Sequence, residues 1–196
     1  MLPPIILNPK PEENILDMTA APGGKTTELA ALSSNEAMIT ACEKNKIRLE
    51  RLKYNIEKQG TRVTIIQQDA RKLDEYFSFD KILLDAPCSG SGTENIFGEK
   101  FNKELIERST KTQEDLLKKA TKILKRTGEI TYSTCSILKQ ENEEIINKIL
   151  KTTNTEIVKI EPPKGLDLLP VTIEGTLCIS PNKDYEGFFI AKIRRE

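Results

Sequence analysis

The chain has 196 residues, enough for one domain with a substantial core. Lys plus Arg and Asp plus Glu stand at 30 each, so the formal charge is zero, which argues against a strongly basic nucleic-acid binder while leaving room for local basic faces. With 37% hydrophobic and 31% charged residues the composition is that of a soluble globular chain. Its apolar runs fall short of a membrane span, and the opening "MLPPIILNPKPEEN" lacks the basic region and cleavage site of a signal peptide.

Apolar runs and amphipathic stretches alternate along the chain. Residues 14–18 read as a buried strand, followed by a helix in "KTTELAAL". Residues 37–43 form a second strand. A helix then runs to Gly60, with Ile47, Leu49, Leu52 and Ile56 at helical spacings and the glycine as a natural stop. Strands follow at 63–69 and 80–86. A long helix is predicted over about 103–126, a fifth strand at 128–135, and a helix in "KQENEEIINKILKTT". Runs at 156–160, 176–180 and 187–193 close the chain as strands, the last two paired antiparallel through "PNKDYEG". This alternation implies a mainly parallel sheet with helices on both faces.

Four cysteines, no Cys-x-x-Cys pair and no histidine make a zinc site or a disulfide framework a poor reading, and free thiols the better one. The missing histidine also removes Ser-His-Asp and Cys-His catalysis. Cys42 and Cys178 lie inside strand-like runs and read as small buried hydrophobes. Cys88, in "DAPCSGSG", and Cys135, in "YSTCS", instead stand at the ends of two strands.

In an open parallel sheet, ligands bind beyond the carboxyl ends of the strands. Here those ends carry Asp17, Glu43, Asp69 and Asp85. Acids also cap helices and solvate loops, but four in register point to a ligand. Glu43 is placed to accept from both hydroxyls of a ribose, and Asp69 to reach an adenine amino group. In "TAAPGGKTTE", Gly24-Lys25-Thr26 looks like the tail of a phosphate-binding loop, yet position 19 is Thr19 where that motif needs glycine, and no Gly-x-Gly-x-x-Gly exists. A ribose acceptor without a phosphate cradle suits a nucleoside cofactor with no phosphate, such as S-adenosylmethionine.

With "ILDMTAAPGGKTTELA", "ACEKN", "QQDAR", "LLDAPCSGSG", "YSTCSILKQENE" and "GFFIAKI" in that order, the chain resembles the Sun/RsmB-type RNA (cytosine-5) methyltransferases from about Asn8 to Ile193. The resemblance implies a Rossmann-like S-adenosylmethionine-dependent methyltransferase fold, with a mainly parallel seven-stranded sheet, the last strand reversed and helices on both faces. It implies that Thr19, Ala20, Ala21, Pro22, Gly23, Gly24, Lys25, Glu43, Asp69 and Asp85 line the S-adenosyl-L-methionine site. It implies that Cys135 is the nucleophile, that Cys88 helps release the product, and that Lys25 and Asp85 face the target cytosine.

The chemistry explains a pair of cysteines. Carbon 5 of cytosine is a poor nucleophile until a thiolate adds to carbon 6 and makes carbon 5 enamine-like. An ordinary thiol titrates near pH 8.5, so without histidine its activation must come from backbone amides, a cation such as Lys25, or the substrate. After methylation the proton on carbon 5 must leave and the thiolate must be expelled, a task for a second group close by. DNA cytosine methyltransferases attack with the Pro-Cys cysteine, so the chemistry alone leaves the order of Cys88 and Cys135 open; the resemblance favours Cys135.

The expectation is thus a single catalytic domain over 1–196, cytoplasmic, without metal or membrane, acting on rRNA in preference to tRNA. Relatives carry an RNA-binding extension, and only 18 residues precede Thr19, so a further domain or chain is expected to hold the RNA. The basic clusters at 44–62, 118–126 and 194–195 read as helix and strand faces balanced by nearby Glu, so RNA binding by this chain alone is expected to be weak. Two other readings stand beside this one: a catalytically silent cofactor-binding or RNA-assembly module, and a methyltransferase of DNA cytosine.

Overall fold

The computed structural model describes residues 1–93 and 102–196; the mixed-charge stretch containing Glu94, Glu99 and Lys100 lies outside the described residues. The strands are β1 (Asn14–Asp17), β2 (Met38–Cys42), β3 (Val63–Ile66), β4 (Phe79–Asp85), β5 (Leu124–Thr134), β6 (Thr155–Ile157), β7 (Leu177–Ile179) and β8 (Phe188–Arg195). The helices are α1 (Leu2–Leu7), α2 (Gly24–Leu32), α3 (Lys46–Lys58), α4 (Lys103–Ile123) and α5 (Glu143–Thr152). One sheet runs in the order β3-β2-β1-β4-β5-β8-β6. β1 to β5 pair parallel, and β8 runs antiparallel to both β5 and β6.

The sheet has the eight strands that the chain-order reading predicts, one more than the resemblance implies, with β7 and β8 antiparallel as expected. β7 pairs with the same edge of β8 as β6, farther along: β6 meets Ile193–Arg195, whereas β7 meets Phe188–Ile190. The expected strand at 156–160 is shorter, ending at Ile157.

Side chains alternate across the sheet with period two. Ile15, Ile39 and Leu83 point into a core shared with Leu7 of α1 and Leu29 of α2. Leu16, Ile82, Leu84 and Tyr132 point into the larger core, with Leu117 of α4 and Ile146 of α5. Burial on both faces is why β4 reads as a continuous apolar run. Each fully buried leucine here contributes on the order of 1.5–3 kcal/mol.

Three elements differ from the sequence reading. α1 was not foreseen; it starts on prolines, whose missing N–H groups cost nothing in a first turn, and buries Pro3, Pro4 and Leu7. α4 ends at Ile123 rather than near residue 126, because Leu124 is buried opposite Phe79 in the sheet and Lys125 pairs with Asp80 at 2.9 Å. In α3, Leu49, Leu52 and Ile56 are buried as expected, but Ile47 is 73% exposed; it lies in the first turn, where Asn45 caps its N–H.

Among the described residues, no helix is long and apolar enough to cross a membrane, and no group of three or more His, Cys, Asp or Glu is placed to hold a metal.

Candidate active site

From β1 the strand order runs outward to β2 and β3 on one side and to β4 and β5 on the other. That reversal is where open sheets of this class leave a crevice. A cavity of about 260 Å³ opens there. Its wall is made by Met18, Thr19 and Ala21 after β1, Glu43 after β2, Asp69 after β3, Asp85 to Cys88 at the end of β4, and Cys135 after β5.

The segment after β1 is held from three sides. Thr19 Oγ1 donates to the Asp85 carbonyl at 2.7 Å, Arg48 of α3 donates to the Ala21 carbonyl at 2.8 Å, and Asn55 of α3 donates to the Pro22 carbonyl at 2.8 Å. Gly23 has φ +110, and a Cβ there would meet Leu52 Cδ1 at 3.0 Å, so both its conformation and its packing call for glycine. Of the turn residues expected at the cofactor, Thr19 and Ala21 line the cavity. Ala20, Pro22, Gly23, Gly24 and Lys25 do not; they shape the turn behind it, and Lys25 reaches the wall through Asp85.

The four strand-end acids divide. Glu43, Asp69 and Asp85 line the cavity, whereas Asp17 does not. Asp17 turns inward, accepting from Thr26 Oγ1 at 2.7 Å and from the Thr19 N–H at 3.3 Å, and burial pushes its carboxyl up to about 6. It ties β1 to the first turn of α2. Glu43 is nearly buried, with one oxygen taken by the Asn45 N–H at 2.7 Å and the other 3.4 Å from Arg48 Nε. Asp69 accepts from the N–H of Arg71 at 3.1 Å and from its guanidinium at 3.0 and 2.6 Å, and these bonds hold its carboxyl down at about 2. Its expected partner, an adenine amino group, must therefore share it with Arg71; a carboxylate has about four acceptor positions, so room remains.

At the other end of the cavity Asp85 joins three elements. Its Oδ2 accepts from Lys25 Nζ of α2 at 2.7 Å and its Oδ1 from Ser133 Oγ of β5 at 2.7 Å. Beyond it Cys88 Sγ and Cys135 Sγ lie 3.0 Å apart, within hydrogen-bond reach. Sharing one proton makes the first thiolate of such a pair easier to form and the second harder. The hydrogen bond from Cys88 lowers the Cys135 thiol, and the same bond together with burial raises Cys88 well above an ordinary thiol. Burial pushes Cys42 up to about 12 and Cys178 up to about 11, which leaves them inert.

The two cysteine loops are zipped together. The Gly92 N–H donates to the Cys135 carbonyl at 2.9 Å, the Gly187 N–H donates to the Gly92 carbonyl at 2.8 Å, and the Ser91 and Ser136 hydroxyls meet at 2.8 Å. A Cβ on Gly92 would run into the Gly187 carbonyl oxygen, so this crossing has no room for a side chain. From below, Glu141 accepts from the Ser89 N–H at 2.7 Å and the Ser89 hydroxyl at 2.6 Å. Asn142 accepts from Thr134 Oγ1 at 2.6 Å and donates to the Ser136 carbonyl at 2.8 Å.

Of the residues expected at the site, both cysteines, Asp85, Glu43 and Asp69 line this cavity and Lys25 reaches it through Asp85. The fold adds Arg48, Ser133, Glu141 and Asn142, which the sequence does not mark. Arg48 was counted among the basic residues of a helix face, and Glu141 and Asn142 as the charged start of a helix; no spacing rule marks them, because each acts across the fold. Many of the basic residues outside the site are paired, Lys118 with Glu114 and both Lys119 and Lys122 with Glu75.

A parallel sheet with one reversed strand, helices on both faces and a crevice at the switch point is the Rossmann-like methyltransferase fold. A family model described as 16S rRNA methyltransferase RsmB/F matches residues 4–194, and the chain belongs to that family. Among its relatives is the tRNA (cytosine(49)-C(5))-methyltransferase of Pyrococcus abyssi, 35% identical over all of this chain and 68% of the relative. Another is the ribosomal RNA small subunit methyltransferase F of Shewanella loihica, 38% identical over all of this chain and 43% of the relative. The solved structure of NSun6 from Pyrococcus horikoshii with SFG superposes with a TM-score of 0.89 at 35% identity, over 99% of this chain and 50% of that one. The chain thus spans about half the length of most of the relatives it matches.

Proposed function

We propose that this chain is the catalytic part of an S-adenosylmethionine-dependent RNA cytosine-5 methyltransferase, with rRNA as its substrate. The observation that carries the reading is the pair of thiols 3.0 Å apart at the end of a cavity lined by Glu43, Asp69 and Asp85. The cavity suits a nucleoside with a cationic sulfonium: carboxylates border it, and no phosphate-binding glycine loop does. The relative solved with SFG, an S-adenosylmethionine analogue, supports the same cofactor. Relatives bear the names of both rRNA and tRNA enzymes; the description of the family, 16S rRNA methyltransferase RsmB/F, favours rRNA.

S-adenosylmethionine, when bound, supplies an electrophilic methyl group. Glu43 would hold the ribose hydroxyls, and Asp69, steadied by Arg71, would take the adenine. The target cytosine leaves its stack to enter beside Asp85, whose carboxylate, kept in place by Lys25 and Ser133, steadies the exocyclic amine and ring nitrogen 3. Cys135 attacks carbon 6 as the thiolate, forming a carbon–sulfur bond and sending an electron pair toward carbon 5. Cys88 retains the proton of the pair during attack. Once the methyl group is on carbon 5, the carbon 5 proton passes to solvent water, its electron pair re-forms the carbon 5–carbon 6 double bond, and that breaks the carbon–sulfur bond and expels Cys135 as the thiolate, with Cys88 beside it.

Methyl transfer from radiolabelled S-adenosylmethionine to unmodified small-subunit rRNA and to tRNA transcripts tests this, with the product nucleoside identified by mass spectrometry. The reading expects 5-methylcytidine in rRNA. Methylation of tRNA alone would overturn the substrate assignment, and cofactor binding without transfer to any RNA, in the presence of the longer relatives' additional segment supplied as a separate chain, would overturn the enzymatic one.

A further inference from the structure

The tether between Glu141 and Ser89 is chemically unusual. Glu141 is completely buried, and among the described residues it forms no ion pair. Both its oxygens accept, one from the Ser89 N–H at 2.7 Å and one from the Ser89 hydroxyl at 2.6 Å, the pattern of an ionised carboxyl. Burying a charge without a counter-ion is costly, and a neutral side chain would hold the Ser89 backbone without that cost. The negative charge therefore has a use beyond tethering, and the residue before Ser89 is Cys88.

We propose that Glu141 is a positioning residue that assigns the two thiols their separate tasks: gripping the Cys88 loop, its buried charge keeps the shared proton on Cys88 and leaves Cys135 as the thiolate. Beside Cys88 lies Glu141, bonded to the adjacent Ser89, with the Tyr132 hydroxyl donating to the Glu141 carbonyl at 2.7 Å. The other charges that act on Cys135 are those of Asp85 and Glu186. Asp85 is offset by Lys25 at 2.7 Å, and Glu186 is exposed and screened by water. That leaves Glu141 as the one buried charge near the pair without a counter-ion among the described residues, and it sits on the Cys88 side. Its neighbour Asn142 holds the Cys135 loop, so a single turn at 139–142 sets both cysteines.

The inference rests on the proposed two-cysteine chemistry, but its test needs neither cofactor nor RNA. The folded protein is alkylated with iodoacetamide across a pH series, and the rates at Cys88 and Cys135 are read separately by peptide mass spectrometry. In the parent protein Cys135 is expected to react about tenfold or more faster than Cys88 near neutral pH. In Glu141→Gln that preference is expected to shrink by about tenfold and the pH profile of Cys135 to move upward, while Glu141→Asp restores it in part. Ser89→Ala keeps the charge and removes one donor, so it is expected to keep the preference for Cys135 even if Glu141→Gln does not fold. An unchanged Cys135 preference in folded Glu141→Gln, or a reversed preference in Ser89→Ala, overturns the proposal. Either result leaves the methyltransferase reading standing, since that reading is tested by methyl transfer.

Discussion

Lys25, from the first turn of α2, and Asp85, the last residue of β4, meet at 2.7 Å although 60 residues separate them in sequence. The contact joins the turn that borders the cofactor cavity to the strand end that precedes Cys88. It links the two halves of the site, and it has a kinetic consequence. Lys25→Met leaves the Asp85 carboxylate held by Ser133 alone, and is expected to lower turnover by about 100-fold or more. Cofactor affinity is expected to change little, because Lys25 itself does not line the cavity. Single-turnover methylation alongside calorimetric cofactor binding separates the two effects.

Glu43 carries the opposite signature. It lines the cavity itself. Glu43→Ala is expected to weaken cofactor binding by about 10- to 100-fold, the loss of charge-assisted hydrogen bonds worth about 1.5–3 kcal/mol, with saturated turnover changed far less. Titration calorimetry with S-adenosylhomocysteine and saturation kinetics check the split.

Asp17 makes stability depend on pH. Its carboxyl titrates at about 6 in the fold against an ordinary 3.8, so between those values the folded state holds a proton that the unfolded state has lost. The unfolded state then binds fewer protons, and stability falls as pH rises through that window, by up to about 3 kcal/mol. Asp17→Asn keeps an acceptor for Thr26 or Thr19 and has no proton to lose. Chemical denaturation is expected to give similar stabilities for both proteins near pH 3.8 and a relative gain for Asp17→Asn above about pH 6. Parallel curves across the series would contradict this reading of Asp17.

Gly92 stands where two backbones cross. A methyl group there would press into the Gly187 carbonyl, so Gly92→Ala is expected to cost about 1–3 kcal/mol and to part the two cysteine loops. Turnover is expected to fall further than global stability explains, measured at a temperature where the variant remains folded.

The residues that were legible in the sequence share a feature: they sit at strand ends, where a buried apolar run breaks into a polar or glycine-rich turn. Cys88, Cys135, Glu43, Asp69 and Asp85 all sit at such breaks, and all line the cavity. The same rule placed Asp17 at the cavity as well, and there it failed. In the register, Asp17 lies beside Leu83, while Asp85 reaches two residues farther along β4. A strand-end acid at that depth faces the interior rather than the crest, and register is not written in the local sequence. Ile47 failed for a related reason: helical spacing identifies a stripe, but a first-turn residue can lie outside the packed part of it. α1 is short and owes its structure to the sheet face it covers. Glu141 and Asn142 were hidden because their partners lie at Ser89, Thr134 and Ser136, contacts that only the folded chain assembles.

RNA bearing 5-fluorocytosine blocks loss of the carbon 5 substituent and so preserves the carbon–sulfur bond; incubated with S-adenosylmethionine and the protein, it is expected to give a complex that survives denaturation. The complex is expected to disappear in Cys135→Ala and persist in Cys88→Ala, which is also expected to accumulate an adduct on ordinary RNA. An adduct that is lost in Cys88→Ala and retained in Cys135→Ala would contradict the account, because the proton-holding thiol would then be the one that attacks.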